Sequence, residues 1–356
     1  MKKFLIKILK FIFKPKLNLP EPKSLTSNFK GQCNILIVRQ HNQLGDMLLS
    51  VSLFRAIKEN LNNVTVTVVA SPDNVNAIES NSFIDEVILF DKRKFINPLE
   101  FIKFLRKLRK DKFQLGIVPT TVSISFTSCL LCRLAKCDFT IGPKSLNGKL
   151  NTASFLFDYA IDLDFTNDSR HISDKILDIV RPFGIDTKDL RSHIYINQEN
   201  RKIAQNYIIK SEKLKVGLHI GAGKIHNRWA LNNFSALINQ IIDEYNAEIY
   251  LTIGPWDEVL LVELLPKIKT KPIILKNLSI PTLAAIIDYL NLFISNDTGI
   301  MHVAGATNCP LISLFGPTNP EIWAPIGNNK IYLHKGSDIN LIHTNDVMNI
   351  VREFLE

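Results

Sequence analysis

A turn of small and basic residues in the second half of the sequence could bind a phosphate group. It consists of Gly221, Ala222, Gly223, Lys224 and Arg228. Small residues let backbone amides approach a phosphate closely, and either cation can neutralise its charge. The turn matches neither the G-x-G-x-x-G fingerprint nor the Walker A loop, because its glycine spacing differs and Lys224 is not followed by Ser or Thr. The pattern therefore indicates an anion site and disfavours hydride transfer and nucleoside-triphosphate hydrolysis.

A second polar cluster follows an apolar run further along the chain. Its members are Asn296, Asp297, Thr298, Gly299 and His302. A helix that begins here would present backbone amides and its positive dipole end to an anion, with His302 on the same face as Thr298. The alternative is an ordinary capped helix with a buried histidine in its first turn. The glycine-proline-threonine turn at residues 316–318 favours a binding site, because capping alone does not require a second polar turn.

Asp46 is the candidate for proton transfer. It follows Gly45 in the loop between the first apolar run and the first helical stretch, and ligands bind at such strand-to-helix loops of parallel sheets. Gly45 lets the backbone turn tightly. The functional interpretation makes Asp46 a general base, whereas the structural one makes it a helix N-cap. The glycine-aspartate pair by itself favours the cap.

No metal site is predicted from the remaining acidic residues and cysteines. The Asp162-Leu163-Asp164 segment has the spacing of an Asp-x-Asp motif, but it follows an apolar run and is predicted only to close a strand. Cys129, Cys132 and Cys137 lack a fourth ligand at zinc spacing. The stretch at residues 125–136 that holds two of them is predicted to be a helix.

The elements that must position these residues are short runs rich in Ile, Val and Leu, which alternate with stretches of helical period. Such runs predict strands buried on both faces and parallel β/α units. They form two series, at residues 34–38, 64–69, 87–90 and 115–118, and at residues 216–220, 249–253, 272–275, 292–295 and 311–315. The predicted fold class is α/β, with two Rossmann-like doubly wound domains facing a central cleft where ligands bind.

We expect three parts in the chain. Residues 1–30 form a basic amphipathic helix and a linker, residues 31–195 a first Rossmann-like domain, and residues 196–356 a second. The junction follows a helical stretch at residues 171–183 and lies beside a polar segment at residues 197–199.

The first helix is predicted to bind a membrane surface. Lys3, Lys7, Lys10 and Lys14 recur at helical spacing, and apolar residues cover the rest of the helix. The lysines interrupt the apolar run, so the segment is too short to span a bilayer, and no A-x-A-like cleavage site follows. The pattern is typical of an interfacial anchor on anionic lipid. The alternative is a terminal helix that packs on its own domain.

Composition limits the function classes. The chain has 356 residues and a net charge of +9, which points to an anionic partner: nucleic acid, acidic lipid or a phosphorylated substrate. Five dispersed cysteines suit a reducing compartment, hence the cytoplasm. No zinc finger or known RNA module accompanies the charge, so nucleic acid is not expected. The basic run at residues 103–112 is predicted to be a solvated helix face that could steer a phosphorylated acceptor.

The order of these motifs resembles the heptosyltransferase-like family of bacterial glycosyltransferases, glycosyltransferase family 9. The specific part is SNDTGIMHVAGA at residues 295–306, followed by LFGPTNP at residues 314–320. Gly45-Asp46, Arg228-Trp229 and Gly254-Pro255 agree in their order. The resemblance extends over nearly everything from Asn34 to about Pro325.

This resemblance implies a GT-B fold and inverting transfer of a sugar from a nucleotide-diphosphate sugar, ADP-heptose by default, to a lipopolysaccharide-core or related envelope acceptor. It implies no required cofactor and no metal. The family's general base falls on Asp46. Its donor contacts fall on Asp297, Thr298, Gly299 and His302, with the turn of Gly221, Ala222 and Gly223 nearby and Asp257 on the nucleoside ribose.

The chain departs from the family pattern at four points. The loop before Gly45 is one residue longer, and Ser52 stands where proline is usual. Asn227 occupies the place of a lysine that commonly contacts donor phosphate, and Ala230 that of a proline. Lys224 or Arg228 is the expected substitute for the missing charge.

Two other functions remain open from the sequence: a nucleotide-sugar epimerase of related architecture, and a catalytically silent membrane-associated binding protein. An epimerase needs neither an acceptor nor a membrane, which the N-terminal helix disfavours. Asp46 and the intact 297–302 block disfavour a silent protein. We expect a peripheral enzyme on the inner face of the cytoplasmic membrane. Its partners would be a nucleotide sugar, a lipid-linked or lipopolysaccharide acceptor and, through residues 1–16, anionic lipid.

Overall fold

The structure is a computed structural model that describes residues 2–27, 29, 31–40, 43–254 and 257–356, without the side chains of residues 2–5 and 27. The chain forms two compact units, which comprise Met1–Leu190 and Arg191–Glu356. The boundary predicted after residue 195 lies within the first residues of the second unit.

The N-terminal unit is built on one largely parallel sheet. Its strands are β1 Cys33–Val38, β2 Val64–Ala70, β3 Glu86–Leu89, β4 Leu115–Ile117, β5 Phe139–Leu146, β6 Lys149–Leu150 and β7 Tyr159–Leu163. The order is β3-β2-β1-β4-β5-β6, and β7 also pairs with β5. Only β6 is antiparallel to its neighbour. The four strands predicted in this unit are confirmed within one residue or so at each end, and the strand closed by Asp162 is β7.

Strands β5 and β6 were not predicted, because β5 contains Gly142 and Pro143, which usually interrupt strands. A Cβ on Gly142 would lie 2.2 Å from the ring of Phe157, so close packing requires glycine there. The β5–β6 turn is Asn147-Gly148, and both residues have positive φ. An Asn-Gly pair is the usual sequence of a two-residue hairpin turn, so this signal could have revealed the hairpin.

The helices of the N-terminal unit are α1 Lys2–Ile12, α2 Pro22–Ser27, α3 Leu44–Leu49, α4 Val51–Asn60, α5 Pro98–Leu108, α6 Phe126–Leu134 and α7 Ile172–Lys175, with 3₁₀ turns at Val75–Ala77, Lys94–Ile96, Ser154–Leu156, Ile176–Ile179 and Arg181–Phe183. Helix α6 is confirmed, and Ser125 caps it by accepting from the Ser128 amide. The helical stretch predicted over residues 171–183 is divided into α7 and two 3₁₀ turns, and the second turn ends at Gly184 in the left-handed conformation.

The C-terminal unit holds a six-stranded parallel sheet. Its strands are β8 Lys215–His219, β9 Glu248–Thr252, β10 Ile273–Leu275, β11 Leu292–Asn296, β12 Leu311–Phe315 and β13 Lys330–His334. The order β10-β9-β8-β11-β12-β13 is that of a dinucleotide-binding fold. Strands are added outward on one side from β8 to β10 and on the other side from β11 to β13, so the strand order reverses between β8 and β11. Five strands are confirmed. The edge strand β13 was missed because its residues are only half-buried or exposed and include Lys330 and His334.

The helices of the C-terminal unit are α8 Gln198–Gln205, α9 Leu231–Tyr245, α10 Glu258–Leu264, α11 Ile280–Asp288, α12 Gly299–Gly305, α13 Pro320–Trp323 and α14 Thr344–Leu355, with 3₁₀ turns at Ile225–Asn227, Leu265–Lys267 and Ile339–Leu341. Trp229 and Phe234 are fully buried in a cluster with residues of α9, α14 and the central strands. Within the described part of the chain, none of the helices has both the length and the hydrophobicity that a bilayer crossing needs.

Both units are therefore Rossmann-like, the domain type of the GT-B fold. In doubly wound sheets, ligands bind beyond the carboxyl ends of the strands where the strand order reverses. These places are the loops after β1 and β4 in one unit, and after β8 and β11 in the other. Asp46 follows β1, and the two predicted donor segments follow β8 and β11.

Candidate functional site

Asn296 organises the polar site of the C-terminal unit. It is the last residue of β11 and is fully buried. Its Nδ2 donates to the carbonyls of Ile220 at 3.0 Å and Gly221 at 3.1 Å, and its Oδ1 accepts from the Trp229 amide at 3.1 Å. One side chain thus holds the end of the glycine turn and the segment at Trp229 against β11. The sequence placed Asn296 in the cluster but did not predict this role.

Asp297 lies where three loops meet. Its Oδ2 accepts from Asn227 Nδ2 at 2.8 Å, and Thr318 of the glycine-proline-threonine turn also hydrogen-bonds its carboxyl. Burial raises the pKa of Asp297 above its usual range, while Thr318, Lys224, Asn227 and His226 act in the opposite direction. The loops after β8, β11 and β12 are therefore joined at one half-buried carboxylate. Asn227, His226 and Thr318 are site residues that the sequence did not assign.

The raised pKa of Asp297 predicts that Asp297→Asn raises the thermal unfolding midpoint of the unliganded protein near neutral pH. The pKa of Asp297 is higher in the folded protein than in the unfolded one. The protonated carboxyl therefore contributes its full stability below the unfolded-state pKa, and this stability is lost as pH rises through the folded-state pKa. The gain should therefore be larger at about pH 7 than at about pH 4. Melting curves across this range measure it. Equal loss of stability at every pH would contradict the assignment.

The glycine turn depends on a buried carboxylate. Asp257 Oδ2 accepts from the Gly254 amide at 3.0 Å, and a Cβ placed on Gly221 would lie 2.1 Å from that carboxylate. A Cβ on Gly223 would meet nothing within 4 Å. Gly221 must therefore be glycine for packing, whereas any need for glycine at 223 would come from a ligand. Pro255, part of the predicted glycine-proline motif, lies outside the described residues.

The two candidate cations differ in setting. Arg228 is half-buried, and its Nε donates to the Ala222 carbonyl at 2.8 Å, which fixes the guanidinium beside the glycine turn. Lys224 is exposed, and its charge acts on Asp297. Both therefore lie at the turn that the sequence predicted to hold an anion.

The remaining predicted donor residues belong to α12. Thr298 is its N-cap, Gly299 its first residue, and His302 its buried fourth residue, at the end of the first turn. Within the described residues, the Thr298 side chain makes no capping hydrogen bond, and its backbone is extended. The Thr298 hydroxyl is therefore not used in capping, whereas the buried histidine of the alternative interpretation is present.

Asp46 lies in the N-terminal unit as the third residue of α3. The N-cap of α3 is Gln43, so the interpretation of Asp46 as the cap is wrong. Buried Arg39, just after β1, connects this turn to β4: it donates to the Pro119 carbonyl at 3.3 Å and to the Asp46 carbonyl at 3.4 Å. Burial lowers the pKa of Arg39, and the charge of Asp46 acts against that shift. His41 and Asn42 of this loop lie outside the described residues.

Gln40 joins Arg39 and Asp46 in a polar cluster of the N-terminal unit. Its Nε2 donates to Ser125 Oγ at 3.0 Å and to Ser128 Oγ at 3.2 Å, which ties the end of β1 to the start of α6. Three buried atoms here have no hydrogen-bond partner in the described part of the chain: Arg39 Nε, Gln40 Oε1 and Thr121 Oγ1. Buried polar groups are nearly always paired, so unpaired ones mark a place for a ligand or water. The sequence did not single out these residues.

A cavity of about 420 Å³ lies beside this cluster. Residues 122–126, which follow β4, form one wall, and the β5–β6 hairpin with its flanking residues forms the other. Ser125, which binds Gln40, stands between the lining residues Ile124 and Phe126. The lining mixes apolar side chains with Ser123, Asn147 and Lys149, a combination suited to a sugar.

Neither the cysteines nor Asp162 line the cavity, although Asn151 of its lining hydrogen-bonds Cys129. Cys129 and Cys132 are buried on α6, and burial raises the pKa of Cys129 to about 11. Asp162 accepts from Lys144 and Ser145 at the surface of the sheet edge. In the described residues, no group of three or more His, Cys, Asp or Glu side chains is arranged to hold a metal ion.

Comparison with known proteins identifies relatives of the whole two-unit architecture. The family profile described as glycosyltransferase family 9 (heptosyltransferase) matches residues 101–344. Lipopolysaccharide heptosyltransferase 3 of Escherichia coli is 26% identical over 313 residues, which cover 82% of this chain and 86% of that protein.

Two solved structures are similar in fold. The family 9 glycosyl transferase of Veillonella parvula superposes with a TM-score of 0.80 at 20% identity, covering 92% of this chain and 98% of that one. The ADP-heptose lipopolysaccharide heptosyltransferase II of Escherichia coli gives 0.75 at 19% identity, covering 90% and 98%.

Proposed function

Because the chain belongs to glycosyltransferase family 9, the heptosyltransferase family, we propose that it moves a sugar from a nucleotide-diphosphate sugar to a lipopolysaccharide-core or related envelope acceptor, with inversion at the anomeric carbon. The observation that carries the proposal is the meeting of three loops at Asp297, beside a glycine turn with two cations. As a family 9 glycosyltransferase, the chain is an enzyme of sugar transfer, which removes both the epimerase and the silent binding protein.

The C-terminal unit would bind the donor. Lys224 and Arg228 offer positive charge at the glycine turn, and the Gly299 amide and His302 offer donors at the start of α12. These groups would stabilise the charge that grows on the departing diphosphate. Asp257 supports the turn through Gly254, and its contact with the nucleoside ribose stays a prediction. ADP-heptose is the proposed donor, since the Escherichia coli relative is named a heptosyltransferase.

The N-terminal unit would bind the acceptor in the cavity beside Gln40 and Ser125. The acceptor hydroxyl attacks the anomeric carbon from the face opposite the leaving diphosphate, and Asp46 accepts its proton. Positioned proton transfer of this kind contributes about 10²–10⁴-fold in rate. Buried Arg39 donates to the Asp46 carbonyl and so places a positive charge near this residue. No cofactor is required in this scheme.

Helix α1 would hold the enzyme at the membrane. Phe11, Ile12 and Leu17 are exposed, as are Lys7 and Lys10. An exposed apolar side with nearby lysines suits an anionic bilayer surface. Further along, the chain is attached to its own unit, because the Lys16 amide donates to Asp158 Oδ1 at 3.0 Å and Phe13 packs against the core. We place this contact on the inner face of the cytoplasmic membrane, where the five free thiols would persist.

Thermal shift with a panel of nucleotide-diphosphate sugars tests the proposal. A donor that binds only the folded state raises the unfolding midpoint by mass action. ADP-heptose should give the largest shift, and His302→Ala should reduce affinity about tenfold or more, as expected for loss of a hydrogen bond to a charged group. Incubation of the stabilising donor with a lipopolysaccharide-core acceptor should then give a product of increased mass. Equal shifts for all nucleotide sugars would refute ADP-heptose as the donor, and no shift with any of them would refute the donor site.

A further inference from the structure

The positive charge of the chain is concentrated in two segments. Residues 1–16 contain six lysines and no acidic residue, a net charge of +6, and residues 91–112 contain nine basic and three acidic residues, again +6. Because the whole chain carries +9, all other residues together carry −3. The excess of lysine and arginine is therefore a property of these two segments and not of the surface in general.

The second segment also exposes a row of large apolar side chains. Ile96, Leu99 and Ile102 recur every third residue along the 3₁₀ turn and α5, and they are 90%, 65% and 44% exposed. The opposite face of α5 is buried through Phe104 and Leu108. Single exposed apolar residues are normal, but a contiguous row on a folded helix marks an interaction surface.

Basic residues surround this row. Two of them are paired: Arg93 with Asp91 at 3.0 Å, and Lys103 with Glu100 at 2.7 Å. Five exposed cations of the segment form no ion pair in the described part of the chain, namely Lys92, Lys94, Arg106, Lys107 and Lys110. An apolar row with unpaired cations matches the interface of an anionic bilayer, whereas a nucleic acid would use the cations without the aliphatic side chains.

The two basic segments pack on one core. Phe13, just after α1, and Phe101 of α5 both pack against the hydrophobic cluster that contains Phe104, Leu108 and Cys132. Helix α5 and the residue that follows α1 are therefore anchored on one hydrophobic cluster of the same compact unit. Two weak contacts on one body bind more tightly than either alone.

We propose that residues 92–110, with Ile96, Leu99 and Ile102 at the centre, form a second membrane-binding element that inserts into an anionic lipid bilayer together with α1. The inference deepens the proposed function, because it names the surface by which the enzyme reaches a lipid-linked acceptor. Its physical basis, an apolar row among unpaired cations, does not depend on the sugar that is transferred.

Co-sedimentation of the full-length protein with vesicles tests the proposal, with phosphatidylglycerol–phosphatidylcholine mixtures against phosphatidylcholine alone. The variant Ile96→Asn/Leu99→Asn/Ile102→Asn should bind the anionic vesicles about tenfold or more weakly. The variant Arg106→Gln/Lys107→Gln/Lys110→Gln should bind less at low salt and approach wild type at high salt, because salt screens the lost attraction.

The chain supplies a matched control in the C-terminal unit. Val259 and Val262 of α10 and Leu265 of the following 3₁₀ turn have the same three-residue spacing and are 76%, 71% and 39% exposed, but Glu258 and Glu263 lie beside them. Replacing these three by asparagine should leave vesicle binding at the wild-type level. Equal loss in both triple variants would mean that general hydrophobicity drives sedimentation, which overturns the proposal.

Thermal shift with the stabilising donor separates this inference from the proposed function. In the 96/99/102 variant the donor shift should equal that of wild type while vesicle binding falls. Wild-type vesicle binding in that variant would refute the membrane element but leave the glycosyltransferase assignment intact. If no nucleotide sugar shifts the melting of the wild type, but vesicle binding still depends on Ile96, Leu99 and Ile102, only the proposed donor site is refuted.

Discussion

Asp46→Asn is expected to lower kcat by about 10²–10⁴-fold while the affinity for the donor changes little. The substitution keeps the shape of the side chain and removes only its ability to accept a proton. Asp46 is not the cap of α3, and the donor residues belong to the other unit, so donor binding should not depend on its charge; the loss of that charge beside buried Arg39 affects stability only. Steady-state kinetics with a saturating donor, with calorimetry of donor binding beside it, measure both effects.

The control for this prediction is Glu79→Gln, which neutralises an exposed carboxylate in the same unit. It should leave kcat unchanged, so that a general effect of net charge is separated from the loss of the base. Turnover of Asp46→Asn within a few-fold of wild type would remove Asp46 from the chemical step. Its position at the first turn of α3 would then have only an electrostatic role.

Gly221→Ala is expected to abolish donor binding and to destabilise the protein. The new Cβ would lie 2.1 Å from the carboxylate of Asp257, which is buried and holds the Gly254 amide, so the carboxylate or the turn must move. Overpacking of this kind costs about 1–3 kcal/mol. The displaced turn would also break the geometry that Asn296 imposes on the Gly221 carbonyl. Thermal melts and donor calorimetry give the two quantities.

Gly223→Ala provides the matched comparison, because its Cβ would meet nothing within 4 Å. This variant should melt like wild type. If backbone amides of the turn approach the donor phosphate closely, Gly223→Ala should nevertheless bind the donor more weakly than the wild type does. Full donor affinity in Gly223→Ala together with loss in Gly221→Ala would mean that the phosphate lies elsewhere and that only the packing of Asp257 matters.

Sequence patterns alone were enough for the elements whose signals are local. The apolar runs that become β1 and β8 are continuous, and Ser125 stands where it can cap α6. Each signal depends on residues within one or two turns of each other, so it can be read along the chain. The hairpin of β5 and β6 was missed although its Asn147-Gly148 turn is local, because Gly142 and Pro143 obscured the strand before it.

The candidate site, too, was predictable from the sequence only in part. The types and order of Gly221, Asp297 and His302 were readable as a motif. Their geometry was not readable, because the partners come from distant parts of the chain. Asn296 binds the carbonyl of Ile220, 76 positions away, and Asn227 binds Asp297, 70 positions away.

The sequence by itself determined the two series of β/α units, the residue types of the donor motif and the basic character of two segments. Only the tertiary structure decided which glycine is needed for packing, that Arg39 lies buried beside Asp46, and that Ile96, Leu99 and Ile102 remain exposed on a folded helix. The physical reason is that burial and hydrogen bonding depend on which distant segments meet. Local periodicity records only the face that a residue takes on its own element.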